Sequence, residues 1–176
     1  MNANESKMLK RIIQSQQANY LFEIQLVFGL STLILYPTND LYLTLGQFNA
    51  VKKFLEIIGE EEYYLTQFDG GGFDGIFSES NPVYKYNLKS TYSDYCKPYL
   101  YSVSVLFSAN GTWAILIDET FDAGYGIFVS NEEYLNKFKK LYELIKAERP
   151  EWMDEKRYVE DVEYYKKLLS EKGILI

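Results

Sequence analysis

The chain of 176 residues carries 25 acidic and 18 basic side chains, a net charge of −7, and 47% apolar residues. That apolar share excludes general disorder, and the length suits one domain with a sizeable core. Histidine is absent and Cys96 is the single cysteine, which removes Ser-His-Asp and Cys-His catalysis, histidine-based zinc or haem sites and any intrachain disulfide.

Met8, Leu9, Ile12 and Ile13 recur at helical spacing and predict a short helix over about 5–17. Tyr20 to Tyr36 is the most apolar run, yet Glu23, Gln25, Gly29 and Ser31 interrupt it and its first half alternates. A membrane helix neither alternates nor holds a carboxylate at mid-depth, so strands at about 20–28 and 32–36 are expected. Pro37-Thr38-Asn39-Asp40 reads as a turn, followed by a brief strand at about 41–43. Thr44 and Gln47 stand at capping-box spacing, and Phe48, Val51, Leu55 and Ile58 form the stripe of a helix over about 45–58. Gly59 is placed to stop it. Tyr63 to Phe68 is expected as an edge strand, and about 78–98 as a long polar loop holding one strand near Val83–Leu88.

A three-stranded meander over about 100–129 organises the rest. Tyr101, Val103, Val105 and Phe107 alternate with Ser102 and Ser104, and Asn110-Gly111 is a hairpin turn. Trp113, Ile115 and Ile117 share one face of the next strand while Ala114 and Leu116 take the other, the pattern of a central strand covered on both sides. After the third strand, Ser130 and Glu133 predict a cap on a helix over about 131–147. A last helix spans about 154–172, with Tyr158, Val162, Tyr165 and Leu169 as its stripe and Gly173 just past its end. The expected fold is a single α+β domain over residues 1–176, mainly antiparallel, with the meander flanked by these helices.

Gly70, Gly72 and Gly75 match G-x-G-x-x-G, but no helix start follows and Asp69 and Asp74 would repel a pyrophosphate, so a wide turn or a partner-fitting loop is the better reading. Asp118, Glu119 and Asp122 lack the calcium-loop spacing, and no metal or cofactor is expected. Cys96 has no histidine base beside it and reads as a structural thiol. The charge is segregated. Phe54 to Tyr84 holds seven acids and no base, and Pro98 to Asn136 holds five acids and no base. If these segments are neighbours, the resulting field repels nucleic acid and the inner membrane surface and speeds encounter with a basic partner. Several of the 17 tyrosines lie in or beside these segments, and tyrosine suits binding surfaces.

At GTWAILIDETFDAGYGIFVS and the helix after it, the chain resembles the small immunity proteins of bacterial polymorphic-toxin and contact-dependent growth-inhibition systems. The resemblance covers roughly residues 100–147. It implies a non-enzymatic cytoplasmic protein that occludes a cognate, basic toxin domain. On this expectation Asp69, Asp74, Asp118, Glu119 and Asp122 pair with the toxin's cations while Phe73, Tyr95 and Tyr125 fill apolar gaps. The alternatives are a small enzyme or sugar-binding domain with carboxylates in a tyrosine-lined cleft, and a scaffold module docking through its charged final helix. No secretory leader opens the sequence, and one cysteine fits a reducing cytosol.

Overall fold

The computed structural model describes residues 1–14, 24–27, 29–68, 75–100, 103–118, 124–145, 154–171, 173 and 174. Six antiparallel strands form one open sheet: β1 (Ser31–Leu35), β2 (Glu62–Phe68), β3 (Val83–Asn87), β4 (Val103–Ser108), β5 (Trp113–Asp118) and β6 (Tyr125–Ser130). Their order across the sheet is β1-β6-β5-β4-β2-β3. The helices are α1 (Ala3–Leu9), α2 (Leu45–Ile58), α3 (Tyr92–Tyr95), α4 (Glu132–Leu144) and α5 (Glu155–Glu171). This is the expected α+β arrangement with the meander β4-β5-β6 at its middle.

Every residue of β4, β5 and β6 is buried, because helices cover both faces of the sheet. On one face α1 and α5 supply Leu9, Tyr165 and Leu169 against Val105, Leu116 and Ile127. On the other, α2 and α4 supply Phe54, Leu55 and Phe138 against Leu106, Ile115 and Phe128. The Phe54 ring meets Trp113, Phe128, Tyr134 and Phe138 edge-on with centroids 5.5–5.9 Å apart, the geometry that ring quadrupoles favour. Burial of this aromatic cluster is the main term holding α2 and α4 to the sheet.

Local signals account for several boundaries. Thr44 accepts from the Gln47 N–H and Gln47 reaches back to Thr44, so α2 starts where the capping box places it, and Gly59 ends it at φ +73°. The cap of α4 moves by one residue: Asn131, not Ser130, accepts from the Tyr134 N–H, while Ser130 Oγ donates to the Asn131 carbonyl. Ser130 is still paired in β6, and that ladder takes precedence over the cap.

Long-range pairing changes other expectations. β2 is an inner strand, because the stretch at 83–87 adds outside it as β3. Within 78–98 the strand expected near Val83–Leu88 is present as β3, and the stretch also holds α3, capped reciprocally by Thr91 and Asp94. Ser104 does not face solvent; its hydroxyl donates to the Leu41 carbonyl at 2.6 Å in the core. Helix α1 ends at Leu9, yet Ile12 and Ile13 are fully buried. Between Ile24 and Val27 the chain makes only a bridge from Leu26 to Ile13, and Tyr42 bridges Asn39 without forming a strand. The rest of the strand expected at 20–28 lies outside the described residues, as does Tyr101.

Candidate functional site

Strand register decides where the acidic segments go. Ser104 of β4 is paired to Gln67 on one side and Ile117 on the other. Phe68 and Asp118 therefore leave the sheet level with each other, two strand spacings or roughly 10 Å apart. Asp69, Phe73, Asp74, Glu119 and Asp122, which follow these two residues in the sequence, lie outside the described residues. The three expected partner-binding residues that are described are not at the surface. Asp118 is 5% exposed, and Tyr95 and Tyr125 are fully buried. Tyr95 stacks on Phe48 at 5.1 Å and its hydroxyl accepts from the Leu43 N–H. Tyr125 stacks on Tyr165 at 4.4 Å. Burial raises the pKa of both phenols, and the Asp118 charge adds to the rise at Tyr125. These two tyrosines hold α3 and α5 in place, and neither can fill a gap in a partner.

Nor do the described acids of the base-free segments form one flank. The strands alternate in direction, so each segment visits both ends of the sheet, separated by the roughly 20 Å length of six extended residues. Glu61, Glu62, Glu132 and Glu133 sit at the end opposite Asp118, beside the β4–β5 turn. Lysines from elsewhere in the chain meet three of the acids: Lys53 with Glu56 at 2.9 Å, Lys85 with Glu62 at 2.7 Å and Lys137 with Glu133 at 2.7 Å. Sequence proximity could not show these pairings for Glu62, whose partner comes from the neighbouring strand.

Glu60 is the residue that sequence reasoning missed. It is 8% exposed, and its carboxyl oxygens accept from Ser108 Oγ at 2.9 Å, Thr112 Oγ1 at 3.0 Å and Trp113 Nε1 at 3.2 Å. Asn110 Nδ2 adds a contact at 3.3 Å, and the Asn110 N–H donates to Ser108 Oγ at 2.9 Å. The end of α2 is thereby fastened to the β4–β5 turn. The only local signal is its position after Gly59, where the Glu60 N–H closes the helix on the Leu55 carbonyl.

A cleft of about 610 Å³ lies between α4 and α5 at the edge of β1 that is unpaired among the described residues. Ile34 and Tyr36 line its floor, Tyr142 and Glu143 one wall, and Tyr158 and Glu163 the other. Tyr36 OH donates to Asp161 Oδ2 at 2.6 Å, and Tyr36 packs against Tyr158 and Tyr165 at 5.9 and 5.2 Å. Burial first, then the Asp161 hydrogen bond, raises the Tyr36 pKa. A phenol so held donates a hydrogen bond and does not ionise at neutral pH.

Cys96 caps α3 half-buried, and burial raises its thiol pKa against a smaller lowering from Tyr92. It is thus held in the thiol form that does not attack. No group of three or more His, Cys, Asp or Glu able to hold a metal is found among the described residues. No helix among them is long and apolar enough to cross a membrane. Comparison with protein-family models, with curated proteins and with solved structures gave no match.

Proposed function

We propose that the protein is a non-enzymatic binder that captures a basic partner domain at the sheet end from which the 69–74 and 119–123 segments leave, in the manner of a toxin-neutralising immunity protein of the cytoplasm. The level exit of Phe68 and Asp118, either side of Ser104, carries this reading. Phe68 and Asp118 are the last described residues before the stretches of sequence that carry Asp69, Phe73 and Asp74, and Glu119 and Asp122. On this proposal those carboxylates meet lysines and arginines that a nucleic-acid-directed domain uses for its substrate, and a bound protein there occludes that surface. Asp118, Tyr95 and Tyr125 support the platform from beneath and touch no partner.

Association of this kind is electrostatically steered, fast and salt-sensitive. The test is titration calorimetry and stopped-flow mixing with the purified product of the adjacent reading frame. Changing Asp69, Asp74, Glu119 and Asp122 together to lysine should weaken binding at least a hundredfold, about 3 kcal/mol, and abolish the salt dependence of the association rate. Glu61→Lys with Glu132→Lys, at the opposite end, should leave both nearly unchanged. Equal loss from the two sets, or from neither, rejects this end as the docking surface.

A further inference from the structure

Among the described residues β1 is an edge strand, paired to β6 alone. In an antiparallel ladder a residue's N–H and C=O point to the same side, and successive residues alternate. Tyr36 fixes the phase: its N–H donates to Tyr142 Oη at 2.9 Å and its C=O accepts from the same hydroxyl at 3.2 Å. Both groups therefore point away from β6. Ile34 and Tyr36 share one core layer, so the alternation runs unbroken between them. Thr32 and Ile34 must then aim their N–H and C=O groups away from β6 as well, while Ser31, Leu33 and Leu35 bond to it. The far side of the sheet agrees. Carried across the register of all five ladders, this phase turns Glu61 toward β3, and the Leu88 N–H indeed donates to the Glu61 carbonyl at 3.1 Å.

The outward groups of Thr32 and Ile34 open into the cleft between α4 and α5. Thr32 Oγ1 is shielded there and has no hydrogen-bond partner among the described residues. Val159 on the α5 wall of the same cleft is 48% exposed, an apolar surface open to a ligand. We infer that this edge is a strand-addition site, which takes a short extended peptide segment of another protein as a seventh strand. Main-chain donors and acceptors spaced along an edge are complemented by another extended backbone, and by little else. The edge is recessed between two helices. A second copy of this chain carries the same recess, so two such edges cannot meet, whereas a single slim strand fits. Tyr142 occupies the main chain at Tyr36, which ends the track and limits the ligand to a few residues.

The walls set the ligand's pattern. Ligand residues on the Ile34 side face Tyr158, Val159 and Val162 of α5 and should be apolar. Those on the Leu33 side face Lys139 and Glu143 of α4 and can be polar. The segment is therefore one of alternating character, and its site is separate from the acidic end.

Linear octapeptides selected from a random phage-displayed library on the immobilised full chain supply the probe. In the free protein, the amides of Thr32 and Ile34 should exchange with deuterium faster than those of Leu33 and Leu35. A selected peptide should slow them at least tenfold. Thr32→Pro and Ile34→Pro delete outward N–H groups only, and each should weaken peptide binding about tenfold. N-methylation of the peptide at β1-facing amides should abolish binding, and methylation at alternate residues should not; this arm leaves the protein's own folding untouched. Recovery of no alternating peptide, protection at other amides, or indifference to methylation overturns the inference. So does a concentration-dependent dimer in which Thr32 and Ile34 are already protected.

Discussion

At the scale of single residues, Glu60 separates what neighbours in sequence disclose from what the fold creates. The cap of α2 by Thr44 and Gln47 is written within four residues and could be read directly. The role of Glu60 depends on Ser108, Thr112 and Trp113, which arrive only when β4 and β5 pair, and no local pattern announces it. Glu60→Ala would leave several buried or half-buried donors facing a void, and should destabilise the fold by about 3 kcal/mol. Urea denaturation measures this; a loss below about 0.5 kcal/mol, the level of an ordinary surface change, would show the donors re-paired elsewhere. The misplaced expectations for Tyr95 and Tyr125 have a matching origin. Tyrosine serves cores and surfaces alike, and only their stacking on Phe48 and Tyr165 decides between the two.

Elements were legible wherever periodicity and caps agreed, as in α2, α5 and the three strands of the meander. Their neighbours were not, since strand order depends on partners that the sequence does not name. β3 shows this: the strand near 83–88 is legible, but its place outside β2, which makes β2 an inner strand, is not. Glycines at element ends give a paired test of this scale. Gly59 closes α2 at φ +73° with open space around a would-be Cβ, whereas at Gly124, φ +53°, a Cβ would lie 2.5 Å from Thr38 Oγ1 and 2.7 Å from the Asp40 carbonyl. Gly59→Ala should cost about 1 kcal/mol, the price of the left-handed backbone alone. Gly124→Ala should cost more than about 2 kcal/mol, because the turn after β1 must also move. Thermal melts of the two variants check the order, and equal costs would mean that the 38–40 turn yields freely.

For the whole molecule, much of the aromatic content lies in the two packed layers on either side of the sheet. Burial raises the pKa of Tyr36, Tyr63, Tyr86, Tyr95 and Tyr125, and pushes Tyr142 up to about 12. The folded values exceed the unfolded value near 10. Their contribution to stability is therefore fully present below pH ~10 and lost as pH rises through the folded values. Tyrosinate absorbance from this buried set should rise only together with loss of the folded circular-dichroism signal. A rise complete before unfolding would contradict the packing. The negative surface also belongs to this scale. The sequence shows the acids and their segregation, but the up-and-down course of the strands divides the described ones between two ends, which only register reveals.

The pairing of β1 with β6 has a consequence during synthesis. β1 emerges from the ribosome early, yet the strand that receives it follows α2, β2, β3, α3, β4 and β5. Until then the nascent Ser31–Leu35 segment lacks its sheet neighbour, and β1 cannot join the sheet before the last strand of the meander is made. Such distant pairing slows folding, and it leaves an apolar strand without its partner while the meander is translated.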